Sequence, residues 1–295
     1  MATAQDIIQL KLSVKDEAFD VQSLSDYHLY LSLGCESFKV TIIDIDTNRC
    51  KYLEEYQFPA SRNSRTQISH LNWIFEEHHF LKADSWRNVF VSIGNTPFSL
   101  VPYEIFDARR APKYLLYLSQ EVNPEWVLHY PHKNIPAVNV FAIDIEIRAW
   151  FDKMYPNKNI KFLPQISSFI EAVFQQKFHY LAPQLYILLE GEYFLAVVAQ
   201  DGKPVLCNSF HFYTAQDFLY YVLFILDELR LSPQECKVNL FGDAEELDFV
   251  QHLLSQYVSK ISTESKFPEW VNFTNVFDNI PINNYIEIFG LHLCQ

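Results

Sequence analysis

The segment Leu29-Tyr-Leu-Ser-Leu-Gly-Cys-Glu-Ser-Phe-Lys-Val-Thr-Ile-Ile-Asp44 returns 156 residues later as Leu185-Tyr-Ile-Leu-Leu-Glu-Gly-Glu-Tyr-Phe-Leu-Ala-Val-Val-Ala199. Each copy opens with a short apolar run, breaks at a lone glycine and resumes with strand-forming residues, the pattern of two strands joined by a tight turn. At that constant offset Leu29-Tyr30 falls on Leu185-Tyr186, Leu33 on Leu189, Glu36 on Glu192 and Phe38 on Phe194.

Reading outward, each hairpin is followed by the same succession. In the first half, Cys50 to Phe58 is a third strand after the turn Asp46-Thr-Asn-Arg49. Ile68, Leu71, Ile74 and Phe75 then recur at helical spacing between Thr66 and Leu81, and Asn88-Val-Phe-Val-Ser-Ile-Gly94 reads as a buried strand. In the second half, Val205 to Phe212 follows the turn Asp201-Gly202, a helix runs from Thr214 to Leu229, and Lys237-Val-Asn-Leu-Phe-Gly242 is the matching strand. Gly94 pairs with Gly242 at an offset of 148, and Ile166-Ser-Ser-Phe-Ile-Glu171 pairs with Ile282-Asn-Asn-Tyr-Ile-Glu287 at 116, each shortly after a proline (Pro164, Pro281) suited to a helix start. The fall between these offsets leaves about 32 extra residues between Gly94 and Ile166. That stretch holds Pro97, Pro102, Pro112, Pro124, Pro131 and Pro136, with a helix expected from Tyr103 to Leu118. The expectation is an α/β chain of two βββαβα lobes, 1–178 and 179–295, with a subdomain of about 97–140 inserted in the first.

Composition narrows the function. The 295 residues include only 6 Gly beside 25 Phe and 17 Tyr, where average usage of about 7% would supply roughly twenty glycines. The net charge is −13 and no lysine–arginine stripe offsets it, which argues against nucleic acid as a partner. Cys35, Cys50, Cys207, Cys236 and Cys294 are odd in number and scattered, so neither a disulfide framework nor a zinc ribbon is encoded. The first twenty residues lack a secretory pattern, and the longest apolar run, Phe218 to Leu226, is about half a membrane span. A soluble, cytoplasmic protein is expected.

Two βββαβα halves with an insertion in the first resemble the actin-like ATPase superfamily, built on a duplicated ribonuclease H-like core. More narrowly, the chain resembles a degenerate, uncharacterised bacterial domain-of-unknown-function family of that fold. The resemblance covers about residues 27 to 293 and implies a nucleotide cleft between the lobes. Active members carry Asp-hydrophobic-Gly-Thr/Ser at the first hairpin, where this chain has Ser32-Leu33-Gly34-Cys35. At the second hairpin they carry Asp-x-Gly-Gly-Gly-Thr, where this chain has Leu188-Leu189-Glu190-Gly191-Glu192-Tyr193, and their adenosine-side Gly-Gly is reduced to Gly242-Asp243. Glu190 and Glu192 thus replace the groups that should approach phosphate, and a like charge about 4 Å away opposes phosphate by several kcal/mol at an effective dielectric near 20. The vestigial cleft residues to locate are Ser32, Gly34, Cys35, Glu190, Gly191, Glu192, Gly242 and Asp243. The two turn glycines are expected to serve positive φ.

Other motifs carry less. Asp44-Ile-Asp46 has metal-binding spacing but sits at a turn, Glu76-Glu77-His78-His79 lacks the spacing of a helical metal site, and His129-Tyr-Pro-His132 lacks a sequence-visible carboxylate to orient it. There is no G-x-S-x-G, H-E-x-x-H or Walker loop. Tyr103, Phe106, Tyr114, Tyr117, Trp126 and Tyr130, near Arg109 and Arg110, have the composition of a protein interface. The sequence therefore points to a catalytically degenerate actin-like scaffold with a protein partner, no catalytic residues, no metal and no cofactor. Two alternatives stand beside it: a nucleotide-dependent ATPase or phosphotransferase with a rebuilt phosphate site, and a sensor holding a small molecule between the lobes.

Overall fold

The computed structural model describes residues 8–116, 123–175, 182–263 and 268–295. The first half opens with β1 (Gln9–Lys15), β2 (Tyr27–Leu33), β3 (Ser37–Asp44) and β4 (Cys50–Gln57), then α1 (Ser64–Glu77) and β5 (Asn88–Ile93). After β6 (Phe98–Pro102), β7 (Val127–Pro131) and β8 (Ala137–Ala142) it continues with α2 (Ile145–Met154), β9 (Lys161–Pro164) and α3 (Gln165–Gln175). The second half comprises β10 (Gln184–Glu190), β11 (Tyr193–Gln200), β12 (Lys203–His211), α4 (Ala215–Glu228), β13 (Lys237–Phe241), α5 (Ala244–Leu254), β14 (Lys260–Ser262) and α6 (Ile286–Gly290).

The two large sheets have the same order. The first runs β1-β4-β3-β2-β5-β9 and the second β12-β11-β10-β13-β14, so apart from β1 they correspond strand for strand. In each, three antiparallel strands lead into two parallel ones. The hairpins repeat to the residue: Leu33 faces Phe38 across the first turn, and Leu189 faces Phe194 across the second. The last parallel pairing slips by one. Leu33 lies opposite Ile93, whereas the register of Leu188 with Phe241 brings Leu189 against Gly242. Gly242 therefore matches Ile93 in the sheet, one residue short of Gly94. The expected boundary at 178/179 falls outside the described residues.

Capping explains where the helices begin. Asn63 accepts from the amides of Arg65 and Thr66 ahead of α1, and Thr214 with Asp217 forms a capping box ahead of α4. The helix expected from Tyr103 to Leu118 is instead a pair of 3-10 turns, Tyr103–Ile105 and Ala108–Leu115. Asp107 restarts the chain by accepting from the Arg109 amide, and Pro112 removes a donor that an α-helix would need; the end of the expected span lies outside the described residues. β6, β8 and β7 form a separate three-stranded antiparallel sheet with its own small core of Val101, Ala111, Leu115, Val140 and Ala142.

The cores cross the halves. α3 follows the first sheet, yet Ile166, Phe169, Ile170 and Val173 pack on Tyr186, Leu188, Leu195 and Val197 of the second. α6 follows the second sheet, yet Ile288 and Phe289 join the core of the first, with Tyr285, Leu291 and Cys294. The two helices cross where Gly290 lies on the Ser168 carbonyl, an approach that a Cβ would forbid.

Candidate functional site

The strand pairing carries both hairpin turns to the same edge of their sheets, and the helix exchange turns these edges toward one another. The turns touch. A Cβ on Gly191 would run into the carboxylate of Glu36, with Cδ only 2.5 Å away, and a Cβ on Gly34 would meet Ser37 Oγ at 2.8 Å and Glu190 Oε2 at 3.4 Å. Each turn thus sets a carboxylate against the glycine of the other. Only Gly191 has positive φ, +60°; Gly34 is not left-handed, so its lack of a side chain serves the close approach and not the conformation that sequence alone suggested. A third contact closes beside them, where the Tyr193 hydroxyl lies over Gly94 and donates to Gln165 Oε1 at 2.7 Å.

Under the turns lies a buried ionic cluster. Lys39, projecting from β3, donates to Glu190 Oε1 at 3.0 Å and to the Asn284 carbonyl at 2.9 Å, with Glu287 Oε1 at 3.9 Å. Ser32 donates to the same Glu287 oxygen at 2.8 Å, and the Tyr285 hydroxyl donates to Glu55 Oε2 at 2.6 Å. Burial alone would lower the Lys39 ammonium, but Glu190, Glu287 and Glu55 outweigh it and hold the group above its ordinary range. Burial pushes Glu287 up to about 7, against the pull of Lys39, so one carboxyl of the cluster stays protonated into the neutral range. Lys39 joins residues far apart in the chain, and a truncation at either partner would leave an uncompensated buried charge.

Above this cluster a cavity of about 420 Å³ opens between the lobes. Of the eight residues singled out in the sequence, Glu190, Gly191, Gly242 and Asp243 line it, and Asp243 pairs with Lys11 at 3.5 Å. Ser32 lies beneath, through Glu287. Cys35 and Glu192 line a separate cavity of about 320 Å³ on the far side of the turn contact, where Arg62 pairs with Glu192 at 3.4 Å. Gly34 sits at the contact itself. Burial raises the Cys35 thiol, which removes thiolate character. Sequence reasoning did not find Lys39, Glu55, Asn284 or Glu36's role. Glu36 had a signal as the match of Glu192, and Asn284 and Glu287 lay within the six-residue match at an offset of 116; Lys39 and Glu55 had none.

The remaining motifs resolve into structure. Asp44 accepts from the Thr47 amide at 3.0 Å and hydroxyl at 2.7 Å, a turn carboxylate. His78 ends α1 beside Glu54 at 2.7 Å. His132 does have its orienting carboxylate, which sequence order concealed: buried Glu171 of α3 accepts from Nδ1 at 2.9 Å, and from the Lys133 amide, Tyr130 and Asn134. In the inserted region Tyr103 is exposed, Phe106, Tyr114 and Trp126 are half-buried and Tyr130 is buried; Tyr117 lies outside the described residues. Among the described residues no group of three or more His, Cys, Asp or Glu is placed to hold a metal ion, and no helix is long and apolar enough to cross a membrane.

The donor set does not fit a nucleoside triphosphate. Phosphate oxygens call for amides, hydroxyls and cations at the two turns. The turns present Glu36 and Glu190, and the cations beside them are engaged, Lys39 by Glu190 and the Asn284 carbonyl, Arg62 by Glu192 and Lys11 by Asp243.

The family model described as "Protein of unknown function (DUF3822)" matches residues 16–261. No curated protein matches the chain. Among solved structures, the chain is similar to a Bacteroides thetaiotaomicron protein described as having an actin-like ATPase fold and unknown function, with TM-score 0.77, 20% identity, and coverage of 94% of this chain and 99% of that one. It is also similar to a chain of the PilM–PilN type IV pilus biogenesis complex, with TM-score 0.57, 13% identity, and coverage of 90% and 97%. At these identities the likeness speaks to fold alone.

Proposed function

This chain belongs to the DUF3822 family and has an actin-like ATPase fold, and from that premise we propose that it acts as an interaction module that does not hydrolyse ATP. The observation that carries the reading is the reciprocal contact of the two turns, Glu36 on Gly191 and Glu190 on Gly34. A phosphate about 4 Å from either carboxylate would meet a repulsion of about 4 kcal/mol at an effective dielectric of 20, before any cost of separating Lys39 from Glu190.

We assign the lobes to 1–178 and 179–295, with the insertion at about 97–140, and place the protein in the bacterial cytoplasm with a protein as partner. Support for a partner comes from apolar side chains left in solvent at two places. Tyr103 and Ile105 are 64% and 66% exposed in the inserted region, and Tyr213 and Phe249 are 76% and 61% exposed on the second lobe. A fold relative that occurs in the PilM–PilN complex is consistent with that use of the fold.

Phosphate release from Mg-ATP by the full chain tests the reading. Release at the uncatalysed background is expected. Turnover that scales with protein and is abolished by Gly191→Glu would overturn it. The inter-lobe cavity favours one additional role, the holding of a small molecule that is not a nucleotide.

A further inference from the structure

The two large sheets end differently on their antiparallel side. In the first, β1 lies against β4, and seven of the eight residues of β4 are buried. In the second, the matching strand β12 is paired by β11 alone among the described residues, and none of its nine residues is buried. At the 156-residue offset of the hairpins, β1 falls on residues 165–171, which fold as the first part of α3. The stretch that closes the sheet edge in the first half is therefore a helix in the second. The Phe212 amide donates to the Glu192 carbonyl, so by the alternation of an antiparallel ladder Leu206, Asn208 and Phe210 turn their backbone groups to β11, and Cys207, Ser209 and His211 turn theirs outward. Asn208 Oδ1 accepts from one of those outward amides, that of Ser209, at 2.9 Å.

Beside this edge α4 carries an aromatic and acidic stripe. Asp217, Tyr221, Phe224 and Glu228 recur at helical spacing on one flank, and a ring contact of Tyr221 with Phe210 at 5.2 Å turns that flank toward β12. Tyr220 extends the aromatic run, 5.4 Å from Tyr221 and stacked on Phe224 at 6.0 Å, and both Tyr220 and Phe224 are exposed. Apart from the His211 imidazole, β12 and α4 hold one basic residue, Lys203, against Asp217, Asp227 and Glu228.

We propose that the outer edge of β12 takes an extended segment of another protein, added as a further strand and carrying apolar and basic side chains over the α4 flank. The strand that fills this place in the first lobe has that composition. β1 alternates Leu10, Leu12 and Val14 with Lys11, Ser13 and Lys15, and Leu12 and Val14 pack on the core. Main-chain hydrogen bonds to Cys207 and Ser209 give such a segment its affinity, and the aromatic and acidic stripe selects its side chains. A second copy of this chain is the poorer match. Two β12 strands paired about a twofold axis would bring the two α4 flanks together, acidic stripe against acidic stripe. The inference deepens the reading of an interaction module and rests on it.

A capped, fluorescently labelled peptide with the sequence of residues 8–15 tests the proposal against the full chain, by anisotropy for affinity and by amide hydrogen exchange for location. Saturable binding that weakens with salt is expected, with slowed exchange over 203–211 and none over 50–57. Ser209→Pro removes an outward amide from an edge strand and leaves the ladder to β11 in place, so it should keep the parent Tm and weaken binding about tenfold. Glu228→Lys touches no strand and should weaken binding about threefold. The same peptide with both lysines replaced by glutamate should bind about tenfold more weakly than the original. Absence of saturable binding, equal binding of the glutamate peptide, unchanged binding in Ser209→Pro and Glu228→Lys, or protection over 50–57 in place of 203–211 would overturn the proposal. Dimers of the chain that protect 203–211 without any peptide would overturn it too. Each of these results removes the β12 site alone, whereas turnover of Mg-ATP removes the functional reading on which it rests.

Discussion

Glu287 is fully buried, with Lys39 and Ser32 on one oxygen and Gln165 close enough to act on the carboxylate, and it shapes the pH behaviour of the cleft. The folded chain keeps a proton on it up to about pH 7, whereas an ordinary glutamate releases its proton near 4.5. Between those values the folded state binds more protons than the unfolded one, so Glu287 subtracts stability as pH rises through that window. His292 works in the opposite sense. Burial lowers it to about 4, so its share of stability is present above 6.5 and is lost as pH falls toward 4. Its Nε2 can only donate to Asn48 Oδ1 at 3.0 Å, which leaves Nδ1 to accept from the Tyr30 hydroxyl at 2.8 Å, and protonation breaks that arrangement. Glu287→Gln isolates the first effect and keeps an oxygen for Ser32. Its urea stability relative to the parent should rise between pH 4.5 and 7 and level off above; a pH-independent difference would contradict the assignment. At this scale the sequence was half legible. Glu190 could be singled out at its turn, but Lys39 could not be read, because an alternating strand gives a lone lysine no partner and Glu190 lies 151 residues away.

The hairpins are the elements that the sequence showed best. Period-two alternation and a lone glycine fixed both turns, and the equal facing of Leu33 with Phe38 and Leu189 with Phe194 follows from equal strand lengths around them. The inserted segment showed least, since its 3-10 turns depend on Asp107 capping and on Pro112 within a run of otherwise helix-compatible residues. β1 went unnoticed because only its pairing with β4 makes it a strand, and five of its seven residues are exposed. The glycines separate two kinds of constraint. Gly202 has φ of +72° and open space around the Cβ position, so Gly202→Ala should cost about 1 kcal/mol, for conformation only. Gly290 has ordinary helical φ, but a Cβ there would drive into the Ser168 carbonyl and come within 2.9 Å of its carbon, so Gly290→Ala should cost about 1–3 kcal/mol or more by forcing α3 and α6 apart. Denaturant midpoints of the two variants check the ranking, and an equal or reversed order would contradict the helix crossing.

For the whole molecule, the duplicated sequence suggested two successive lobes, and the sheets follow that order. The cores do not. α3 covers the second sheet and α6 the first, an exchange invisible to periodicity because an amphipathic helix does not state which sheet receives its apolar face. Residues 1–178 alone would lack Tyr285, Ile288, Phe289, Leu291 and Cys294 from their core and would expose the α3 face that packs on the second sheet. That fragment should lose cooperative thermal unfolding, while the full chain unfolds in a single transition; a cooperative, monomeric fragment would contradict the exchange. The same exchange goes with the contact of the two turns, which sets Glu36 on Gly191 and Glu190 on Gly34, the positions from which the proposed reading has them exclude phosphate. Calorimetric titration of the full chain with Mg-ATP measures that exclusion directly. No saturable heat up to millimolar nucleotide is the result expected, and micromolar binding that Gly191→Glu abolishes would contradict the account.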